Sequence, residues 1–215
     1  MLSYICEFNL NVSGEKADSY LHRIVREWPA LWEKLPGVHG TLLLQNAFAL
    51  GGKFAYAFRV DIESFKTLQV IDDALKSDDR QWRKIRSEYF EHRTEVRARL
   101  LQQGGGGESY LRPAGGGDGL IHLVVSHDGG GDAGGAKAPA FARSQGVQAV
   151  QQHSAFLQAS AVAGRNETWL RLANLASLDE VHNSFAQLGA SSGTRVTSHL
   201  FGELREVNGV LHAGA

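Results

Sequence analysis

Histidine is the residue type with the widest range of chemistry in this sequence, and the chain has nine of them. An imidazole can bind a metal or a haem iron, and it gains or loses a proton near neutral pH. The histidines do not have the spacing of an HExxH zinc site, and the chain has no CxxC pair and no phosphate-binding loop. The sequence therefore assigns no metal ligand.

Three polar residues are candidates for catalysis because of the strand faces on which they fall. Residues 3–12 alternate at period two, which places Glu7 and Asn9 opposite an apolar face. Burying these groups beneath a helix would be costly, so we expect their face to line an interior that holds water or ligand. His122 has the corresponding position on the first predicted strand of the second half. We predict Glu7, Asn9 and His122 as catalytic residues.

Other polar residues on predicted strands are candidates for ligand binding. His199 lies on the last long strand, which neighbours the strand of His122 in the expected fold, and His153 lies on a hairpin strand. These imidazoles either share one interior or are ordinary histidines at the rim, because one residue of register slip reverses a face. Arg171, beside Trp169 on a strand, either binds an anionic ligand or forms a salt bridge.

The elements that must position these residues follow the order β-α-β-β-α-β in each half of the chain. In the first half, periodicity predicts strands at residues 3–12, 38–50, 54–62 and 94–101, and helices at 16–35, from Ser64, and around 82–90. In the second half it predicts strands at residues 119–127, 146–159, 167–175 and 193–207, and helices at 139–144 and 177–188.

Local matches favour an internal duplication. Gly37 and Gly146 each precede a valine that begins a strand, and Ser64 and Ser177 each follow a strand and begin a helix. Thirteen of the 25 glycines fall between Gly104 and Gly135, where such dense glycine is typical of linkers and loops. The predicted organisation is a first ferredoxin-like unit at 1–102, a glycine-rich linker at 103–118 and a second ferredoxin-like unit at 119–215, with a loose loop at 129–138.

The fold class that follows is α+β, with tandem ferredoxin-like β-α-β-β-α-β units whose antiparallel sheets form an α+β barrel. The stretch 74–82, ALKSDDRQW, is similar to the leucine, small residue, aspartate and tryptophan run in the second helix of many dimeric α+β barrel proteins. The chain resembles the antibiotic-biosynthesis monooxygenases, the stress-responsive barrel proteins and the NIPSNAP-like proteins of that superfamily.

This resemblance implies three classes of function. The first is a cofactor-independent, monooxygenase-like enzyme or small-molecule binder that holds an aromatic ligand in the lumen between the two sheets. The second is haem binding or degradation, since Asn9, Trp82 and His92 resemble in type and order the set of the haem-degrading members. His182 resembles the helix histidine that binds haem in chlorite dismutase-type proteins. The third is a non-catalytic stress-related or assembly module.

The amino-acid composition limits the classes of partner that this protein is expected to bind. A net charge of −1 gives no electrostatic reason to expect nucleic acid as a partner. The sequence also lacks a run of about 18 apolar residues, so it predicts no membrane span. Cys6 is the single cysteine, which excludes an internal disulfide and favours a cytoplasmic protein, and it is predicted as a small buried hydrophobe. We expect a small-molecule ligand, and either a homodimer or a pseudo-dimer within one chain.

Overall fold

The computed structural model describes residues 1–49, 53–104, 121–128, 146–158, 165–179, 181 and 196–214. The predicted loop at 129–138, the predicted helix at 139–144 and His182 lie outside these ranges. No helix in the described ranges is long and apolar enough to cross a membrane.

The first half has four strands and four α-helices. They are β1 Leu2–Leu10, α1 Glu15–Arg26, α2 Trp28–Trp32, β2 Val38–Asn46, β3 Tyr56–Ile62, α3 Phe65–Lys76, α4 Arg80–His92 and β4 Arg93–Gln103. The helix predicted at 16–35 is divided in two, because Pro29 supplies no backbone N–H and its ring crowds the carbonyl group four residues earlier. Strand β4 includes Gln103, the first residue of the predicted linker.

The described part of the second half is built mainly of strands. These are β5 Ile121–Asp128, β6 Val147–Gln158, β7 Arg165–Leu172, β8 Val196–Val207 and β9 Val210–Ala213. Residues 177–179 and 181 are helical, where a helix is predicted. Strand β9 was not predicted, although Asn208-Gly209 is a typical two-residue hairpin turn, in which the two residues have positive φ angles of 52° and 80°.

Eight of these strands close into an antiparallel barrel within one chain. Their order is β2-β3-β1-β4-β6-β7-β5-β8, and β8 also pairs with β2. The first four strands and the last four follow the same spatial pattern, which is the ferredoxin-like order. The contacts β4–β6 and β2–β8 join the halves, so the predicted pairing occurs within the chain. The predicted α+β barrel fold class is confirmed.

The two faces of the barrel wall have different cores. On the outer face, the helices of the first half cover an aromatic cluster that includes Tyr20, Trp28, Trp32, Phe58 and Trp82. On the inner face, side chains from both halves meet, and the apolar part of this interior is formed by Ile5, Leu42, Leu44, Ala57, Leu101, Val124, Trp169 and Phe201. The alternation of β1 thus assigns the two faces correctly.

The two halves share one tight turn, which corrects the sequence alignment between them. Gly37 and Gly146 have φ angles of 82° and 96°, which favour glycine. A Cβ atom on Gly37 would collide with Thr67, and one on Gly146 would collide with Ser177. Thr67, and not Ser64, is therefore the counterpart of Ser177, because β7 ends at Leu172 rather than at residue 175. Descent of the halves from one duplicated unit stays a prediction.

Replacing Asp79 by alanine is expected to lower the free energy of unfolding by about 1 kcal/mol. The Asp79 carboxylate caps α4, accepting hydrogen bonds from the backbone N–H groups of Gln81 at 2.8 Å and Trp82 at 3.2 Å. Urea denaturation measures the loss. Asp78→Ala is the matched control, because the Asp78 side chain is fully exposed and should contribute little. Equal losses in the two variants would contradict this account of the cap.

Candidate functional site

A cavity of about 340 Å³ lies between the outer face of the barrel wall and the helices of the first half. It is lined by Tyr4, Cys6, Trp28, Trp32, Phe58, Leu68, Ile71, Asp72, Leu75, Lys76, Ile85, Arg86, Tyr89, Phe90 and Arg93. We call it the helix–sheet cavity. Because Lys76 of α3 and Phe90 of α4 are each more than 70% exposed, it opens to solvent between these two helices. Its volume is within the range of small-molecule sites.

Arg93 is a buried cation in the wall of this cavity. It is the first residue of β4, directly after α4, and its side chain enters the aromatic cluster. Only 6% of its surface is exposed. The guanidinium carbon is 3.8 Å from the ring centre of Phe8, 4.6 Å from that of Tyr89 and 5.2 Å from that of Trp28. Aromatic faces therefore supply much of the stabilisation of this charge.

The hydrogen bonds of Arg93 leave part of the guanidinium without a partner. Nε donates to the Tyr20 hydroxyl at 2.6 Å, and Nη1 lies 3.5 Å from Cys6 Sγ. Nη2 is buried and has no hydrogen-bond partner among the described residues, and no described carboxylate forms an ion pair with this arginine. A buried cation without a counter-ion is costly, so the helix–sheet cavity favours an anionic group in a ligand.

Phenolic hydroxyls stay protonated in this cavity. Burial raises the pKa of Tyr20 to about 12, although the neighbouring Arg93 acts to lower it. Burial also raises the pKa of Tyr4 and of Tyr89, and their interaction with Cys6 raises both further. At neutral pH these hydroxyls can therefore donate hydrogen bonds to a ligand.

Buried ion pairs in the lumen of the barrel join the two halves. Arg99 forms ion pairs with two carboxylates. Its Nη1 is 2.7 Å from Oε2 of Glu7, and its Nε is 3.0 Å from Oε1 of Glu167. Arg97 is 41% exposed and also contacts Glu7, at 2.5 Å. Burial acts to raise the pKa of Glu7, but Arg99 and Arg97 outweigh it, and the pKa is lowered. Glu7 therefore faces the lumen as predicted, but as part of an ion-pair network.

A second buried network in the lumen includes His153. Arg59 Nε donates to Asp61 at 2.8 Å, and its Nη2 donates to Gln151 of the second half. Ser3 donates to Asp61 at 2.7 Å and lies 3.3 Å from His153 Nε2. Three strands, β1, β3 and β6, thus meet through buried polar side chains.

Three further predicted residues meet or face the same lumen. His122 Nε2 lies 3.5 Å from Glu203 Oε2, and Arg171 Nη2 lies 3.7 Å from the same oxygen. The strand register places His199 on the face of β8 that carries Phe201, and their ring centres are 6.4 Å apart. Within the described ranges, no three metal-ligating side chains form a group that could hold a metal ion.

The residues that resemble the haem-degrading set do not come together. Asn9 lies at the rim, where its side chain donates to Lys53 and Glu95 and accepts from the N–H of Ala55. It is on the face of β1 opposite the helical layer. Trp82 and His92 lie at the two ends of α4, about 15 Å apart at 1.5 Å per residue. Trp82 packs on Trp32, and His92 packs on Tyr20.

The helix–sheet cavity lies on the face of β1 and β3 opposite the lumen in which the sequence predicts a ligand. In the described part of the lumen, arginines and carboxylates from distant strands form buried ion pairs. A ligand site in the lumen stays a prediction. Arg93, Tyr4 and Tyr89 were not among the predicted site residues. The available signal was the pair Tyr4 and Cys6, which are weakly polar side chains on the face that helices cover.

Two buried histidines are expected to make stability decrease as the pH falls below 6.5. Burial, together with Arg59 and Arg99, lowers the pKa of His153 well below 6.5, and burial lowers that of His122 although Glu203 opposes it. Between the folded and unfolded pKa values the unfolded chain binds more protons, so lower pH favours unfolding. Urea denaturation over this range measures the slope, which is about 1.4 kcal/mol per pH unit for each such group. His153→Gln should reduce it, and an unchanged slope would refute the assignment.

A second decrease is expected below pH 4.5. The pKa of Glu203 is lowered from 4.5 because hydrogen bonds and charges from His122 and Arg205 outweigh its burial, and that of Glu7 is lowered by its arginines. The stability that these carboxylates contribute is present above the unfolded pKa and is lost as the pH falls through the folded values. The same urea experiments detect it as a steeper slope below 4.5.

Comparisons with known proteins support the fold. No family model and no curated protein matches the chain. Similar solved structures include an anthrone oxidase-like protein, with a TM-score of 0.57 and 10% identity over 100% of this chain and 96% of that one. Another is a candidate monooxygenase from Fusobacterium nucleatum subsp. nucleatum, with a TM-score of 0.59 and 8% identity over 99% and 97%. The chain thus shares an α+β barrel fold with these two solved structures.

Proposed function

We propose that the helix–sheet cavity binds a small aromatic molecule with an acidic oxygen and that the protein acts on it as a cofactor-independent oxygenase. The single observation that carries this proposal is the Arg93 guanidinium, which is buried in the wall of an aromatic cavity and whose Nη2 has no hydrogen-bond partner among the described residues. Aromatic walls favour a flat, apolar ligand, and the guanidinium favours an oxyanion on it. The fold shared with monooxygenase-like proteins is the second support.

The proposed chemistry needs few protein groups. An enolisable ring ketone such as anthrone loses a proton to give an oxyanion whose electrons are delocalised onto a ring carbon. Molecular oxygen accepts those electrons at that carbon, and anthrone plus oxygen gives anthraquinone plus water. Arg93 would stabilise the oxyanion, and the hydroxyls of Tyr4 and Tyr89 would donate hydrogen bonds to ligand oxygens. The aromatic wall would exclude bulk water.

Binding and turnover test the proposal separately. Calorimetric titration with 1-naphthoate should show saturable binding to one site, whereas the neutral 1-naphthalenemethanol should bind at least about tenfold more weakly, since charge-assisted hydrogen bonds are the stronger ones. An oxygen electrode should then record oxygen uptake with anthrone above the uncatalysed rate. Absence of both binding and uptake would overturn the proposal, and binding without uptake would leave a binding protein.

A further inference from the structure

Cys6 is the single cysteine of the chain, and it lies on β1 in the wall of the helix–sheet cavity. Its sulfur is in contact with two polar groups, the hydroxyl of Tyr89 at 3.5 Å and the guanidinium Nη1 of Arg93 at 3.5 Å. The thiolate is the nucleophilic form of cysteine, and cysteines that react selectively have cationic donors beside the sulfur. An ordinary buried cysteine in an apolar core has no such neighbour.

A second observation points to a ligand at this sulfur. Arg93 is 6% exposed and lines the same cavity, and its Nη2 has no hydrogen-bond partner among the described residues. One guanidinium therefore contacts the sulfur through Nη1, and its Nη2 is buried in the wall of the same cavity. This arrangement places an oxyanion-stabilising donor beside a nucleophile.

We propose that Cys6 is a nucleophilic site that adds covalently to a quinone-type ligand in the helix–sheet cavity. The sulfur forms a bond to a ring carbon conjugated with a carbonyl group, and a pair of π electrons moves to the carbonyl oxygen. Arg93 Nη2 stabilises the resulting oxyanion. The proton of the thiol and the proton of the attacked ring carbon are transferred to the two quinone oxygens. The product is a hydroquinone thioether. The quinone is itself the electron acceptor, so no other oxidant or reductant takes part.

This inference uses the cavity of the proposed function but does not depend on oxygenation. Quinones are flat and apolar and carry carbonyl oxygens, so they match the aromatic wall and the free N–H. An adduct without oxygen uptake would leave the inference standing and overturn the oxygenase. Oxygen uptake without an adduct would have the opposite consequence.

The test compares two electrophiles on the same protein by intact-mass spectrometry without oxygen. The first is 1,4-naphthoquinone, whose addition forms an oxyanion, and the second is iodoacetamide, whose reaction with sulfur does not. We expect one naphthoquinone per chain, and a ratio of quinone rate to iodoacetamide rate at least about tenfold higher in the folded protein than in the urea-unfolded chain. An equal ratio in the two states overturns the proposal with wild-type protein alone.

Two variants extend the test. Arg93→Met should bring the ratio down to that of the unfolded chain, because the oxyanion donor is removed while the sulfur remains. Arg83→Met, which changes an arginine that is 58% exposed and does not line the cavity, should keep the wild-type ratio. Circular dichroism checks that both variants are folded. A folded Arg93→Met protein with the wild-type ratio would overturn the role of the guanidinium.

Discussion

Replacing Arg99 by methionine is expected to lower the free energy of unfolding by about 3–5 kcal/mol, the usual cost of leaving buried charges without their partner. Arg99 is 7% exposed and contacts Glu7 from the first half and Glu167 from the second. Methionine keeps much of the volume, so the loss comes from two buried carboxylates that no longer have their shared cation. Urea denaturation measures it.

Two comparisons make this prediction specific. Arg97→Met removes a cation that contacts the same Glu7 but is 41% exposed, so it should cost about 1 kcal/mol or less. Adding Glu7→Gln and Glu167→Gln to Arg99→Met should recover a large part of the lost stability, because the unpaired charges are then absent. If Arg97→Met and Arg99→Met cost the same, the buried pair between the halves is not what stabilises the barrel.

Arg93→Met is expected to weaken the binding of 1-naphthoate by about 100-fold, which corresponds to the loss of a charge-assisted hydrogen bond of up to about 3 kcal/mol. Stability should change by less than about 1 kcal/mol, because the lost contacts with aromatic rings are offset by the removal of a buried charge without a carboxylate. Calorimetry and urea denaturation provide the two measurements.

The control for this second prediction is an arginine on the same helical layer. Arg83 on α4 is 58% exposed, pairs with Asp78 and does not line the helix–sheet cavity. Arg83→Met should bind 1-naphthoate as the wild type does. A similar loss of binding in both variants would mean that general positive charge, rather than the buried guanidinium, attracts the ligand.

The contrast between Arg93 and Arg99 shows which properties of a residue the alternation pattern of a strand cannot predict. Both residues belong to β4, and the sequence gives no local sign of their different environments. Arg99 contacts Glu167, which is 68 residues away along the chain. Arg93 pairs with Leu10 on the helix-covered face, because a register shift between β1 and β4, at which Glu95 has a φ angle of 50°, separates it from Arg99, which pairs with Ile5 on the lumen face. Neither partner set can be derived from spacing along a single strand.

Structural features that depend on a short segment of the chain could be predicted from the sequence. The alternation of residues 3–12 placed Glu7 in the interior and left Cys6 on the other face, because successive side chains of a strand point to opposite sides. Asn9 was predicted on the same face as Glu7, and its position at the rim follows from where β1 ends. The division of the first predicted helix and the hairpin that begins β9 also had local signals, in Pro29 and Asn208-Gly209.

The sequence by itself therefore determined that the chain is an α+β protein in which each strand has a polar and an apolar face. Only the tertiary structure decided that the polar faces of the two halves would meet and form ion pairs in the lumen. It also decided that the cavity would lie under the helices, beside Arg93 and Cys6. The physical reason is that periodicity is a property of one segment, whereas charge complementarity and cavity volume arise only when distant segments pack together.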